Sequence, residues 1–304
     1  MAKIFIDGSA GTTGLRIKDR LKERADIELL TLPEELRKDV TARKEIMNKA
    51  DIVFLCLPDQ AAIEAVALID NPNVAVIDTS TAHRTNDGWT YGFPELVGED
   101  KIKSSKRIAN PGCHASGFIA LIKPLVDAGL IDTNAMLTCF SLTGYTGGGK
   151  KMIAEYEGEL PELYKAPRQY GLSQSHKHLP EMCKVTGLKN LPCFCPIVAP
   201  FPCGMEVTVP LFKKDVKGDI EDIKNAYRKT YANGLVKFSE ADENGFLSAN
   251  AFDGRDDMEV SVFGNADRII LVARFDNLGK GASGSAIQNM NILLGVSVST
   301  GLNI

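Results

Sequence analysis

The sequence predicts an α/β protein in which a doubly wound parallel sheet is joined to an α+β domain with a mixed sheet. Over residues 1–110, short apolar strands alternate with amphipathic helical stretches. From residue 135 onward, longer strands follow one another with few helices between them. A chain of 304 residues is long enough for two domains with buried cores.

Strands and helices alternate throughout the first part. The strands are nearly continuous apolar runs, which is typical of a parallel sheet buried on both faces. We predict strands at 3–8, 27–32, 51–58 and 74–78, and helices at 15–24, 34–49 and 59–69.

A glycine-rich turn separates the first strand from the first helix. Its pattern, G-x-x-G-x-x-G, is a variant of the Rossmann-type dinucleotide fingerprint, in which backbone N–H groups approach a pyrophosphate at the helix N-terminus. The alternative is a plain βα turn without a ligand. The predicted cofactor contacts in this turn are Gly8, Ser9, Ala10, Gly11, Thr12, Thr13 and Gly14.

The end of the second strand bears on the choice of cofactor. NAD sites usually have an acidic side chain there, whereas this chain has Leu30-Thr31-Leu32. Arg37 and Lys38 follow shortly and favour the extra phosphate of NADP. The sequence alone leaves both NADP and NAD open.

Cys113 follows the turn Asn110-Pro111-Gly112, which ends a strand beginning near Arg107. The apolar stretch 118–130 indicates that a helix begins at the cysteine. Because N–H groups and the dipole at a helix N-terminus stabilise a thiolate, we interpret Cys113 as a nucleophile. The alternative is a buried, inert cysteine.

The second part has the pattern of a separate mixed or antiparallel sheet. We predict strands at 135–142, 205–212, 258–263 and 268–275, and helices at 219–231 and 283–294. This part is expected to contain the catalytic residues and the oligomer-forming surface.

Gly144–Lys150 matches the G-x-x-x-x-G-K pattern of a nucleotide P-loop and follows a strand. Lys151 occupies the position of the hydroxyl residue that holds magnesium, so NTPase activity is not predicted. Lys150 remains suited to a smaller anion, and a flexible turn is the alternative.

Two of the four histidines, His176 and His178, lie close together in the sequence. Imidazole titrates near neutral pH, so we interpret them as candidate acid/base partners of a cysteine thiolate. A metal pair lacks a third ligand at suitable spacing, and two structural or solvated histidines are the other alternative. Glu181 would orient or cap the same loop.

Composition argues against several classes of function. The chain has 35 Lys and Arg residues against 39 Asp and Glu, a net charge of −4, and so lacks the cationic excess that nucleic acid or an anionic membrane requires. No apolar run reaches the roughly 20 residues of a membrane span and no signal peptide is recognisable, so we expect a cytoplasmic protein. The seven cysteines lack paired C-x-x-C spacing and favour neither a disulfide framework nor structural zinc.

Four motifs carry a family resemblance. They are Gly8-x-x-Gly-x-x-Gly14, Asn110-Pro-Gly-Cys-His114, His176-Lys-His-x-Pro-Glu181 and the tail Lys280–Asn291, and they span essentially the whole chain. Together they resemble the N-acetyl-γ-glutamyl-phosphate reductase family in its shorter bacterial form. The resemblance implies an NADPH-dependent enzyme of arginine biosynthesis that reduces N-acetyl-γ-glutamyl phosphate to N-acetylglutamate semialdehyde and releases phosphate.

The resemblance also implies roles for individual residues. The nucleophile would be Cys113, with His178 or His176 as the acid/base, and no metal is expected. Further cofactor contacts would be Ser80, Lys280, Gly281, Gln288 and Asn289, and the substrate would contact Arg84, Asn110, Lys150 and Glu181. If the tail closes over the cofactor, residues 1–113 and about 283–304 form the NADP-binding domain, and 114–282 form the catalytic and oligomerisation domain.

One departure from the family concerns Cys203, because many members have an arginine just before Gly204-Met205. If that arginine binds substrate, Lys150 or Arg255 would replace it here. The family favours a homodimer or homotetramer. Whether the acyl group is a free acetyl derivative or a carrier-protein adduct stays open.

Three other functions remain as alternatives. An aspartate-semialdehyde dehydrogenase would use the same chemistry, but its nucleophile usually lies in an Asn-Cys-Ser/Thr context that is absent here. A redox-sensing regulator would bind NADP(H) without turnover. A Cys/His thiol hydrolase would act on acyl esters without any nicotinamide.

Overall fold

The computed structural model describes all 304 residues, which divide into two compact units. Unit 1 comprises Met1–Pro111 and Ala282–Leu302, and unit 2 comprises Gly112–Gly281 and Asn303–Ile304. No helix combines the length and the apolar character that crossing a membrane demands.

Unit 1 contains a six-stranded sheet in the order β2-β1-β3-β4-β6-β5, and every pair of neighbours is parallel. This confirms the predicted parallel sheet. Its strands are β1 (Ala2–Asp7), β2 (Ile27–Leu30), β3 (Ile52–Leu55), β4 (Ala75–Asp78), β5 (Thr90–Tyr91) and β6 (Arg107–Ala109).

Helices cover both faces of this sheet. They are α1 (Thr12–Leu21), α2 (Val40–Lys49), α3 (Asp59–Ala67), α4 (Pro94–Val97), α5 (Glu99–Lys103) and the last helix of the chain, α10 (Gly284–Leu294). Ile4 of β1 packs with Ile17 of α1 and Met290 of α10 in one core, whereas its neighbour Phe5 packs with Met47 of α2 in another. Alternate side chains of one strand therefore enter two cores, as a doubly wound sheet requires.

The predicted helix at 34–49 is wrong in its first half. Glu34–Leu36 form a short 3₁₀ turn after Pro33, and α2 begins only at Val40. The Asp39 carboxylate accepts a hydrogen bond from the Ala42 N–H at 2.7 Å, which caps a new helix at that point.

Unit 2 contains a seven-stranded mixed sheet in the order β11-β12-β13-β10-β7-β9-β8. The pairs β7/β9 and β11/β12 are parallel and the others antiparallel, which confirms the predicted mixed sheet. Its strands are β7 (Thr138–Gly144), β8 (Arg168–Gln169), β9 (Cys193–Ala199), β10 (Met205–Phe212), β11 (Val236–Phe238), β12 (Met258–Gly264) and β13 (Arg268–Phe275).

Unit 2 has four α-helices. They are α6 (Cys113–Asp127), α7 (Gly149–Glu157), α8 (Leu179–Thr186) and α9 (Ile220–Thr230). Helices α6 and α9 pack against the sheet, and α8 packs against α6. Helix α6 lies so close to β10 that a Cβ atom on Gly117 would come within 2.4 Å of Val207. The opposite face exposes Phe140 and Ile270, each 43% accessible. The sheet thus holds α6, whose first residue is Cys113, in a fixed position.

Candidate active site

The glycine-rich turn of unit 1 has the geometry of an anion cradle. Gly8 has a φ of +83°, and a Cβ atom there would lie 2.3 Å from the Cys56 carbonyl oxygen, so only glycine fits. No side chain caps the N-terminus of α1, which leaves its first N–H groups available to an anion. The residues present therefore fit the pyrophosphate of a dinucleotide.

A cavity of about 160 Å³ lies beside this turn, among residues of β1, α1 and the segment after β2. The charged side chains that line it are Asp7, Lys18 and Arg37. Burial raises the pKa of Asp7, and the Arg43 guanidinium, 2.7 Å away, opposes that rise and neutralises the carboxylate. Lys18 forms no ion pair, and the lining from β2 is apolar apart from Thr31. Two cations and no acidic group from β2 suit a 2′-phosphate better than a ribose hydroxyl.

Polar residues that follow β4 and β6 come together in unit 1. Ser80 Oγ donates to Asp78 at 2.7 Å, and Arg84 Nε donates to the Asn110 carbonyl at 2.9 Å. Asn289 of α10 lies beside Asn110, with Nδ2 3.3 Å from its Oδ1. Four residues predicted from separate motifs are therefore gathered at the carboxyl ends of two parallel strands, where α/β proteins bind ligands.

The C-terminal motif is divided between the two units. Lys280 and Gly281 belong to unit 2, in a turn of π-helix over Gly279–Ser283, and Lys280 is buried. Gln288 belongs to unit 1, where its side chain donates to Glu95 at 2.9 Å. A Cβ atom on Gly281 would lie 3.0 Å from the Cβ of Cys113, so this turn packs directly against the cysteine.

Cys113 is the first residue of α6, and Gly112 before it provides no side-chain cap. The Gly112 N–H donates instead to the buried Glu181 carboxylate at 2.8 Å. Glu181 lies in the first turn of α8, so this bond joins the N-terminus of α6 to the N-terminus of α8. The open N–H groups of α6 stabilise negative charge on the Cys113 sulfur.

His176 and His178 lie in the turn that leads into α8, and His178 occupies the position before its first residue. Their rings are 4.8 Å apart, and each lies 5.7 Å from the ring of His114. Burial lowers the pKa of His176, and the Lys177 charge lowers it further, so the ring is neutral near pH 7 and able to accept a proton. The two predicted histidines thus lie beside the residue that follows Cys113.

His114 is a site residue to which the sequence assigned no role. Its ring nitrogens lie 2.6 Å from Ser141 Oγ and 2.6 Å from Tyr170 Oη. Burial lowers the pKa of His114 to about 3, with a smaller contribution from His176. Its position directly after Cys113 was the only sequence signal available.

Lys150 and Arg255 are the two candidates to replace the arginine that many family members have just before Gly204-Met205, and they differ in how accessible their charges are. Lys150 is exposed near the start of α7. Arg255 is held by a double hydrogen bond to Asp257, at 2.8 and 2.6 Å, which occupies its guanidinium. Cys203 lies 3.3 Å from Thr146 Oγ1, within a short side-chain network.

Two protein-family models match the chain. Residues 9–105 match the NAD binding domain of semialdehyde dehydrogenases, and residues 113–277 match the semialdehyde dehydrogenase dimerisation domain. Aspartate semialdehyde dehydrogenase II from Vibrio cholerae has a similar structure, with a TM-score of 0.73, 17% identity and coverage of 97% of this chain and 98% of that one. Identity this low supports a shared fold and no more.

Curated relatives are much more similar in sequence. The N-acetyl-gamma-glutamyl-phosphate reductase of Rhizobium leguminosarum is 46% identical over 96% of this chain and 98% of the relative. That of Allorhizobium ampelinum is 45% identical over 96% and 99%, and reductase 2 of a Nostoc species 42% over 99% and 99%. The chain belongs to the N-acetyl-γ-glutamyl-phosphate reductase family. This confirms the resemblance drawn from the four motifs.

Membership of this family makes the protein an oxidoreductase with a nicotinamide dinucleotide site, as predicted. The dimerisation-domain match covers most of unit 2, including β7, β10 and both strands β12 and β13. The predicted catalytic and binding roles of individual residues remain predictions that the geometry is compatible with.

Proposed function

We propose that this chain catalyses the NADPH-dependent reductive dephosphorylation of N-acetyl-γ-glutamyl phosphate to N-acetyl-L-glutamate 5-semialdehyde, through a thioester on Cys113. The observation that carries the proposal is the bond between the Gly112 N–H and Glu181, which fixes the start of α6, with Cys113, next to the start of α8, with His178. A nucleophile and an acid/base group are thereby held at the starts of two helices.

Covalent catalysis suits this substrate because an acyl phosphate is a good acyl donor. The Cys113 thiolate attacks the acyl carbon, the bond between that carbon and the bridging oxygen breaks, and phosphate leaves with that oxygen and the bonding electrons. Bound NADPH supplies the hydride that reduces the thioester. The resulting thiohemiacetal loses the C–S bond, which releases the aldehyde and restores the thiolate.

His178 or His176 holds the proton that the Cys113 thiol loses. The same imidazole donates it to the oxyanion after reduction and takes it back when the thiohemiacetal collapses. Removal of this acid/base group should reduce the rate by about 10²–10⁴-fold.

The preference for NADPH rests on Lys18 and Arg37 at the cavity beside the glycine-rich turn. Backbone N–H groups at Gly8–Gly14 would hold the pyrophosphate. Ser80 and Asn289 would contact the cofactor nearer its nicotinamide end, and Arg84 the substrate phosphate.

The exposed sheet face of unit 2 supports self-association as a homodimer or homotetramer. Phe140, Ile270 and Phe212 lie on this face, and the register Thr208–Phe140 and Pro210–Ile270 places their side chains on the same side. Light scattering of the purified protein tests this, and a monomer at working concentration would contradict it.

A reverse assay tests the proposed reaction. The protein receives N-acetylglutamate semialdehyde, phosphate and NADP, and formation of NADPH is followed by absorbance, with NAD and aspartate semialdehyde as comparisons. We expect phosphate-dependent turnover with the acetylated substrate and NADP. Turnover only with aspartate semialdehyde would assign another substrate, and NADP binding without turnover would favour a regulator.

A further inference from the structure

A series of side-chain hydrogen bonds runs from the sheet of unit 2 through His114 to Tyr170. Ser141 lies on β7, His114 in the first turn of α6, and Tyr170 directly after β8. The backbone N–H of Tyr170 donates to the Pro196 carbonyl of β9 at 3.0 Å, which fixes the tyrosine at the sheet. Three elements that are distant in sequence therefore hold this series of hydrogen bonds in place.

His114 remains neutral throughout the physiological pH range. Its side chain is buried, and its pKa lies at about 3. A neutral imidazole has one N–H and one bare nitrogen, so it donates to one of its two neighbours and accepts from the other.

Ser141 decides which nitrogen carries the hydrogen. Ser141 is fully buried, and His114 Nδ1 is the only partner of its hydroxyl. If Nδ1 carried the hydrogen, the serine O–H would be buried without an acceptor, which is costly. The serine therefore donates to Nδ1, and Nε2–H donates to the Tyr170 oxygen.

This arrangement leaves the Tyr170 O–H available to donate to a group other than His114. Tyr170 has no other side-chain hydrogen bond, and its ring lies 6.2 Å from that of His176, in the same cluster of rings around the start of α6. Burial raises the pKa of Tyr170, and the negative charge of the Cys113 thiolate adds to the rise, so the phenol keeps its proton. Accepting a bond from His114 also strengthens its own O–H as a donor.

We propose that Tyr170 is a further catalytic residue, which donates a hydrogen bond to the oxyanion formed on the acyl carbon attached to Cys113, and that His114 and Ser141 are positioning residues that aim this hydroxyl. The inference rests on the proposed reaction at Cys113. The tyrosine transfers no proton, because its hydrogen bond only strengthens as charge develops on the oxygen. The acid/base role stays with His176 or His178.

Substitution Tyr170→Phe tests the catalytic part. Loss of one oxyanion donor should lower kcat by about 10²-fold and change KM for the acyl phosphate less than about threefold. Tyr227→Phe is the matched control, because its hydroxyl donates to the Leu121 carbonyl of α6 at 2.6 Å and lies outside the cluster. The control should keep its kcat.

The outcomes separate this inference from the proposed function. If the wild type and Tyr227→Phe turn over and Tyr170→Phe does so at an unchanged kcat, the tyrosine role is wrong. A rise in KM alone would instead assign Tyr170 to ground-state binding and also overturn the proposal. If the wild type itself lacks the reaction, the proposed function fails.

Magnetic resonance of isotope-labelled histidine tests the positioning part without any assay of activity. With only four histidines, the signals of His114 are identified as those missing from the spectrum of His114→Phe. We expect hydrogen on Nε2 and a bare Nδ1. A ring protonated at Nδ1 would overturn the proposed direction of the hydrogen-bond chain.

Discussion

Glu181→Ala should uncouple Cys113 from the turn into α8 that contains His176 and His178. The Glu181 side chain is 1% exposed, and its carboxylate accepts from the Gly112 N–H directly before Cys113. Alanine removes the acceptor and leaves a buried backbone donor at the start of α6.

The expected loss follows from the type of bond that is removed. A hydrogen bond to a charged group contributes about 1.5–3 kcal/mol, and a buried N–H left without an acceptor costs a similar amount. We expect the free energy of unfolding to fall by about 2–3 kcal/mol. Because a shift of about 1 Å in a reacting group costs on the order of 10²-fold in rate, kcat should fall by roughly 10–100-fold.

Urea unfolding and steady-state kinetics measure the two effects. Glu181→Gln retains an acceptor oxygen, so its free energy of unfolding and its kcat should both fall less than those of Glu181→Ala. Glu162→Ala is the surface control, since its side chain is 84% exposed and its ion pair with Lys165 contributes about 0–1 kcal/mol. If Glu181→Ala unfolds at the wild-type urea concentration with wild-type kcat, the bond to Gly112 does not position the cysteine.

Three further predictions concern charge and pH. Lys18→Ala and Arg37→Ala should each raise KM for NADPH by about tenfold, because each removes one charge-assisted contact to the phosphate. The KM for NADH should stay unchanged. Equal effects on both cofactors would refute the assignment of the cavity to the 2′-phosphate. Lys177→Ala removes a charge that lowers the pKa of His176, so magnetic resonance should show that this pKa rises toward its usual value. The acid limb of the pH profile of kcat should stay in place if His178 is the acid/base. An acid limb that shifts together with the pKa of His176 would assign the role to His176. The pKa of His114 is about 3 in the folded protein and near 6.5 in the unfolded chain, so only the unfolded chain takes up this proton between those values. The uptake of this proton therefore does not destabilise the protein above pH 6.5. Below pH 6.5, the free energy of unfolding should fall by about 1.4 kcal/mol per pH unit. Urea titrations should find that this slope is missing in His114→Phe.

The fold class followed from strong local patterns. Strands β10 (Met205–Phe212) and β13 (Arg268–Phe275) have the predicted bounds, because apolar and polar residues alternate along β10 and β13 is a nearly continuous apolar run. Strand β9 (Cys193–Ala199) was not predicted, because Pro196 lies at its centre. Proline cannot donate to a neighbouring strand, so it is unexpected between β7 and β8.

The candidate site was only partly accessible from the sequence. Cys113 could be predicted because the Asn110-Pro111-Gly112 turn and the following helix are local features. Ser141 and Tyr170 could not, because each is unremarkable within its own segment and gains its role only through His114. The start of α2 was misplaced for a different reason, since a single capping carboxylate at Asp39 outweighed a continuous helical pattern.

The central claim is that the reaction passes through an acyl thioester on Cys113. Mass spectrometry of the intact protein and its peptides, after mixing with N-acetyl-γ-glutamyl phosphate in the absence of NADPH, tests it most directly. We expect one acyl adduct, located on Cys113, which NADPH removes and which Cys203→Ala retains, whereas Cys113→Ala forms no adduct and has no turnover. If Cys113→Ala still oxidises NADPH and releases phosphate at a substantial rate, the covalent mechanism is wrong.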